Sequence, residues 1–417
     1  MLLRYCLGDY DNVRNLQEIT TEELLLIAGS LLFLSISSVW DILFKSQYMK
    51  IKKLEIVRFA PKGKDSFMEA VGKAVNEYFE TNQISTYANT EMWVKTAVML
   101  TLYFLPCTLI ITGVASGSLW LFFGLWFMMG IGMTGIGTSV MHDANHGAYS
   151  SNKKVNNVIG HILEVIGGYV ANWKIQHNIL HHTYTNIAGL DEDIDSIKLL
   201  RFSPNQPRYW YHRYQHIYAW FFYMIMTLFW MTAKDYMQVL RYKKHDLLVK
   251  QKVTLKTALL RISMAKVFYY AYILVLPILF SGVAWYFVLA GFLIMHFVAG
   301  FFLSCIFQPA HVIGESAFNS PIVTDDQKRM EDSWAVHEVA NTSNYAPRSR
   351  VLSWFIGGLN YQIEHHLFSN ICHVHYRKLS PIVKSITDSF KIPYNVQSNF
   401  VLALWAHGKM LKQLGKA

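Results

Sequence analysis

Two stretches of this chain carry no lysine or arginine: the residues between Lys95 and Lys153, and those from Val267 to Gln327. The first contains two apolar runs, Thr96 to Ala115 and Leu119 to Met141; the second holds the run Ala284 to Phe307 and all but the first two residues of a run from about Ala265 to Phe280. A helix needs about 20 apolar residues to cross hydrocarbon, where every backbone polar group must find its partner within the segment. Ser116 to Ser118 and the Ser281–Gly282 pair are short polar joins, so each stretch reads as a hairpin. Both hairpins open toward the side where basic residues gather, which the positive-inside rule places in the cytoplasm. The expected fold is all-α and integral to the membrane: four transmembrane helices in two hairpins, with both termini and a helical cap on the cytosolic side.

Composition supports this division. The chain is 53% hydrophobic, too apolar for two ordinary soluble domains. Its formal charge of +10 follows the membrane topology rather than a stripe with interleaved aromatics, which sets nucleic-acid binding aside. The four cysteines, Cys6, Cys107, Cys305 and Cys372, form no CxxC pair, so neither a disulfide framework nor a cysteine-ligated metal site is expected. Ala219 to Met231 is apolar but shorter than a crossing and reads as an interfacial helix. The segment after it carries Lys234, Arg241, Lys243, Lys244, Lys250 and Lys252; it fits either an ordinary juxtamembrane loop or a contact with anionic headgroups or an acyl-CoA phosphate. Residues 1–48, with the apolar run Leu24 to Trp40, form an N-terminal extension to which no role is assigned. Residues 49–95 read as a cytosolic segment and 96–417 as the membrane domain.

Chemistry enters with the histidines. His142 and His146 in MHDANHG close the second run at a spacing that puts both rings on one helix face. His177, His181 and His182 follow in QHNILHH, and YQIEHHL supplies Gln362, Glu364, His365 and His366. All three groups lie on the cytosolic side of the expected topology. Seven clustered imidazoles exceed what one tetrahedral ion uses, so two ions are expected. Zinc has no redox chemistry, whereas two irons can activate O2. His311, in FQPAHVIGE past the fourth run, is an eighth candidate. His161, His212, His216, His296, His337, His373 and His375 lack the paired spacing and read as structural or as supports behind the ligands. The acidic run Asp191, Glu192, Asp193, Asp195 either orients ligand rings or forms a solvated loop. Gly130, Gly132, Gly135 and Gly137 serve either helix packing or the close approach of a substrate chain.

HDANH, HNILHH and QIEHH resemble the three histidine boxes of the membrane fatty acid desaturases, and the resemblance extends from about Leu54 to the end. Glutamine at the head of the third box, here Gln362, resembles the front-end subgroup, which inserts a double bond between an existing one and the carboxyl end. WAVHEV and NYQIEHHLF followed by CHVHY are similar to bacterial members described as linoleoyl-CoA or delta-6 desaturases. The resemblance implies two iron ions held by His142, His146, His177, His181, His182, His311, His365 and His366, with Gln362 a weak ligand or hydrogen-bonding neighbour. It implies a fatty acyl substrate, acyl-CoA or acyl-lipid, O2, and a multi-pass location in a bacterial inner membrane with the site facing the cytoplasm. No HPGG haem motif occurs, so electrons are expected from a separate ferredoxin or cytochrome b5. Two other readings stand beside this one: a di-iron fatty acyl or sphingolipid hydroxylase or acetylenase on the same scaffold, and a non-catalytic zinc-binding membrane receptor.

Overall fold

A computed structural model describes residues 57–60, 66–195, 198–324 and 327–416. The expected N-terminal extension, including Leu24 to Trp40, lies outside the described residues. After β1 (Val57–Arg58) comes the amphipathic helix α1 (Ser66–Asn82), followed by α2 (Thr90–Ile111) and α3 (Leu119–His146). A short helical segment, α4 (170–184), leads to a long helix, α5 (215–244). Two more long helices follow, α6 (Leu255–Phe280) and α7 (Trp285–His311). Among the described residues, α2, α3, α6 and α7 are long and apolar enough to cross a membrane. The chain then forms β2 (Ile322–Thr324), β3 (Gln327–Arg329), α8 (Trp334–Asn341), β4 (Ser343–Tyr345), α9 (Gln362–Leu367), α10 (Tyr376–Ser389), β5 (Asn395–Gln397) and α11 (Phe400–Lys416). The predominantly helical fold carries two small sheets in addition: β3 between β1 and β2, and β4 parallel to β5.

The long helices begin and end differently from the apolar runs. Lys95 and Lys266, next to the two stretches free of lysine and arginine, lie inside α2 and α6, with exposures of 1% and 5%. Both find polar partners instead of water. The Lys266 ammonium lies 2.7 Å from Asp235 Oδ2, 2.6 Å from the Gly167 carbonyl and 3.0 Å from the Trp230 carbonyl. It thereby ties α6 to α5 at the point where α5 loosens into a π turn, Trp230–Lys234, whose widened ring frees a carbonyl. Removing one member of a buried ion pair leaves the other uncompensated and costs about 3–5 kcal/mol. An Asp235→Ala protein is expected to lose stability on that scale, read as a lowered unfolding midpoint in detergent. The double variant Asp235→Leu/Lys266→Met should recover most of it; equal midpoints for single variant and parent would refute the pairing.

Glycines set how closely the helices approach. A Cβ at Gly130 would lie 2.7 Å from the Met295 carbonyl oxygen on α7, and one at Gly132 would lie 2.7 Å from backbone atoms of Leu102 and Tyr103 on α2. Gly135 meets the Met99 side chain in the same way. These three serve helix packing, bringing α3 against both neighbours. Gly137 differs, having only Leu303 Cδ2 at 3.5 Å and facing a cavity. The run 219–231 lies within α5, which packs along α7, where Gly300 lets the Tyr223 and Met224 carbonyls approach closely.

Candidate metal centre

Each histidine group sits where local structure departs from a plain α-helix. In α3 the residues Ile136–Val140 form a π turn immediately before Met141–His146. The hydroxyls of Thr134, Thr138 and Ser139 each donate to the carbonyl four residues back, taking up acceptors in this loosened ladder. Gly147, at φ +78°, ends the helix directly after His146. The second group lies in another π segment, Lys174–His181. The extra residue per turn changes which side chains share a face, so His177, His181 and His182 all point inward and are buried. The third group is carried by α9, every residue of which is buried.

The structure brings the eight histidines together from four chain segments. Ligand nitrogens of His142, His146, His177 and His365 lie within 4.8 Å of one another, as do those of His181, His311 and His366. His182 stands between the two clusters: its Nε2 is 3.3 Å from His177 Nε2 and 3.0 Å from His365 Nε2, and its ring centroid is 4.4 Å from that of His366. His142 Nε2 and His177 Nε2 are 3.1 Å apart. Two nitrogens each about 2.1 Å from one ion, at octahedral to tetrahedral angles, stand roughly 3.0–3.4 Å apart, so these spacings suit a shared ion. Nε2 of His146, His311 and His366 is buried with no hydrogen-bond partner. Buried polar atoms are otherwise almost always satisfied, so donors left open in this arrangement fit a bound cation. Gln362 lies beside His311, in keeping with a weak ligand or a neighbour of one.

The rings are held by their far nitrogens. His181 Nδ1 is 3.1 Å from Asp191 Oδ1 and 3.4 Å from Asp193 Oδ2. Backbone N–H groups of Asn186 and Asp193 fix Asp191 from behind. His366 Nδ1 is 2.6 Å from Glu338 Oε2, and the Thr185 hydroxyl lies 2.7 Å from the same oxygen. His365 Nδ1 meets the Tyr376 hydroxyl at 3.3 Å, and His311 Nδ1 faces the Asn341 carbonyl at 3.4 Å. In each of these rings the contact at Nδ1 leaves Nε2 for the centre. Burial, reinforced by neighbouring imidazoles, pushes the pKa of His177, His182 and His365 well below the usual histidine range, which keeps their lone pairs available. For His181 burial also acts downward, but the carboxylates of Asp191 and Asp193 outweigh it and raise its pKa to about 9.

The acidic run thus divides. Asp191 and Asp193 support His181, while Glu192 turns to Gln238, Tyr242 and Arg241, and Asp195 to Gln206. Glu338, Tyr376 and Asp143 were not singled out by the motif reading. Glu338 did leave a signal, since a lone carboxylate in the apolar turn AVHEVA demands a buried partner. Of the unpaired histidines, His337 faces the Thr185 carbonyl at 2.8 Å and His373 faces Asp143 Oδ2 at 2.8 Å, while His296 meets Tyr269 and Thr227 within the helix bundle.

A cavity of about 170 Å³ borders both clusters. Met133, Gly137 and Met141 of α3, Met226 and Trp230 of α5, and Leu303 and Phe307 of α7 line it, and it reaches His177, His181 and His311.

Residues 118–398 match the fatty acid desaturase family. The chain is 34% identical over 348 residues to an sn-1 linoleoyl-lipid 6-desaturase of Arthrospira platensis, covering 84% of this chain and 92% of that one. It is 32% identical over 355 residues to a protein of the same description from Synechocystis sp., covering 85% and 97%. An acyl-lipid (8-3)-desaturase of Physcomitrium patens is 32% identical over 368 residues, covering 88% and 75%.

Proposed function

Because the chain belongs to the fatty acid desaturase family, we propose that it is a front-end desaturase that introduces a cis double bond between an existing double bond and the carboxyl end of an acyl chain, in the delta-6 manner. The observation that carries this reading is the apolar cavity running from the α3, α5 and α7 walls to His177, His181 and His311. The relatives described as linoleoyl-lipid 6-desaturases favour an acyl-lipid substrate over acyl-CoA.

Under this reading the two histidine clusters hold two irons, with His142, His146, His177 and His365 facing one, His181, His311 and His366 the other, and His182 between them. Iron, with O2 and two electrons from an external ferredoxin or cytochrome b5, supplies the oxidant that an unactivated methylene requires, because no side-chain acid or base can remove such a hydrogen. The protein supplies position. Met133, Met141, Leu303 and Phe307 give the acyl chain apolar contact and exclude water, and Gly137 leaves room for the chain beside α3. Asp191, Glu338 and Tyr376 hold His181, His366 and His365 so that each ring keeps one aim. The basic residues flanking the long helices favour a site on the cytoplasmic face, in a bacterial inner membrane under this reading.

Expression in a host fed linoleate, followed by mass spectrometry of the lipids, tests the reading. A product lighter by two hydrogens, with its new double bond on the carboxyl side of the existing ones, is expected. A product heavier by one oxygen would mean hydroxylation, and purified protein holding one zinc and no iron would remove the redox reading altogether.

A further inference from the structure

A cation inside a membrane-crossing helix is costly and calls for a reason. Lys95 of α2 is buried at 1% exposure, with its ammonium nitrogen 2.6 Å from His373 Nε2 and 5.4 Å from the Trp354 ring centroid. An ammonium only donates, so His373 accepts at Nε2 and carries its proton on Nδ1, which faces Asp143 Oδ2 at 2.8 Å. The His373 backbone N–H donates to the same oxygen at 3.0 Å. The other carboxylate oxygen, Oδ1, faces His142 Nδ1 at 3.7 Å, a close polar contact longer than a hydrogen bond, and that buried nitrogen has no other partner. Asp143, Cys372 and His373 are close enough together to suggest an ion of their own. Both ring nitrogens of His373 are already engaged, however, one by the Lys95 ammonium and the other by Asp143.

The line Lys95, His373, Asp143, His142 ends on one cluster only. The cluster of His142, His146, His177 and His365 is backed by Asp143, which His373 and, through it, Lys95 hold in place, and by the Tyr376 hydroxyl. The cluster of His181, His311 and His366 is backed by Asp191, Asp193 and Glu338. Carboxylates behind metal-bound imidazoles raise ligand basicity. We propose that Lys95, His373 and Asp143 form a positioning relay that holds His142 toward the four-histidine cluster, so that metal binding at that cluster, and not at the other, depends on it. Lys95 touches neither substrate nor metal; it acts through two other side chains. The inference rests on the two-metal reading given above.

The test is titration of purified, metal-free protein with Co2+ and, anaerobically, with Fe2+, following bound metal per chain. The parent is expected to take up two ions. Lys95→Met should weaken one of them about 10-fold or more, the range expected when a support behind a ligand is lost, and leave the other unchanged. His373→Gln should weaken the same ion, and the double variant should be no worse than either single one, because the two residues act in series. Glu338→Gln should weaken the other ion. His373→Gln keeps a neutral hydrogen-bonding side chain, so it carries the same prediction if Lys95→Met lowers expression. Equal loosening of both ions, additive effects in the double variant, or no change would overturn the relay. A parent protein that binds no pair of ions would instead sink the two-metal reading itself, whatever the Lys95 variant does.

Discussion

A His365→Ala protein is expected to reach the membrane in normal amounts, to hold less than one iron per chain, and to give no detectable desaturated product. His365 touches every other ring of the four-histidine cluster. Its Nε2 is 3.0 Å from that of His182, and its ring also packs on His142, His146 and His177. Losing a support behind a ligand costs about 10- to 100-fold in metal affinity, so loss of the ligand itself costs more. Because His182 stands between the clusters, the second ion is expected to loosen as well. The fold has little reason to fail: α9 is also held by Ile363 and Leu367 in the apolar core of the cap, and by Glu364 against Asn344 and Tyr394. Metal analysis and product analysis of the same preparation check both halves. Iron loading and product yield at the parental level would count decisively against the assignment, and His181→Ala carries the same expectation.

The sequence made the histidines legible because their signal is periodic and survives without tertiary information. Paired spacings on short segments pointed to seven rings, the place of His311 past the fourth run to an eighth, and these rings lie in two adjoining clusters. The supports behind them were less legible, because a support needs no motif. Asp143 was hidden inside the first histidine group, and Glu338 sits 28 residues from the ring it holds. The division of the glycines was also invisible in one dimension. Gly130, Gly132, Gly135 and Gly137 share one helix, but the first three meet neighbouring helices and the last faces open space. The start of α2 was misjudged where Lys95 was taken as a boundary, because charge marks the membrane edge only when water is its partner. Lys95 and Lys266 have His373 and Asp235 instead.

Gly137→Phe is expected to abolish desaturation while leaving both irons in place, which separates substrate binding from metal binding. A Cβ at this position meets Leu303 Cδ2 at 3.5 Å, ordinary contact, so Gly137→Ala should fold and keep most of its activity. A phenyl ring has nowhere to go but the cavity, which is only about 170 Å³ and is bounded across from α3 by Met226, Trp230, Leu303 and Phe307. The neighbouring glycines supply the contrast. At Gly132 even a methyl group would sit 2.7 Å from the backbone of Leu102 and Tyr103, so Gly132→Ala should lower expression or the unfolding midpoint rather than block turnover selectively. The informative measurement is therefore a pair: iron per chain and product formed from linoleate-fed cells, for the alanine and phenylalanine variants of Gly137 side by side. An active, iron-loaded Gly137→Phe protein would show that the acyl chain runs elsewhere, and would separate the cavity from the chemistry proposed for it.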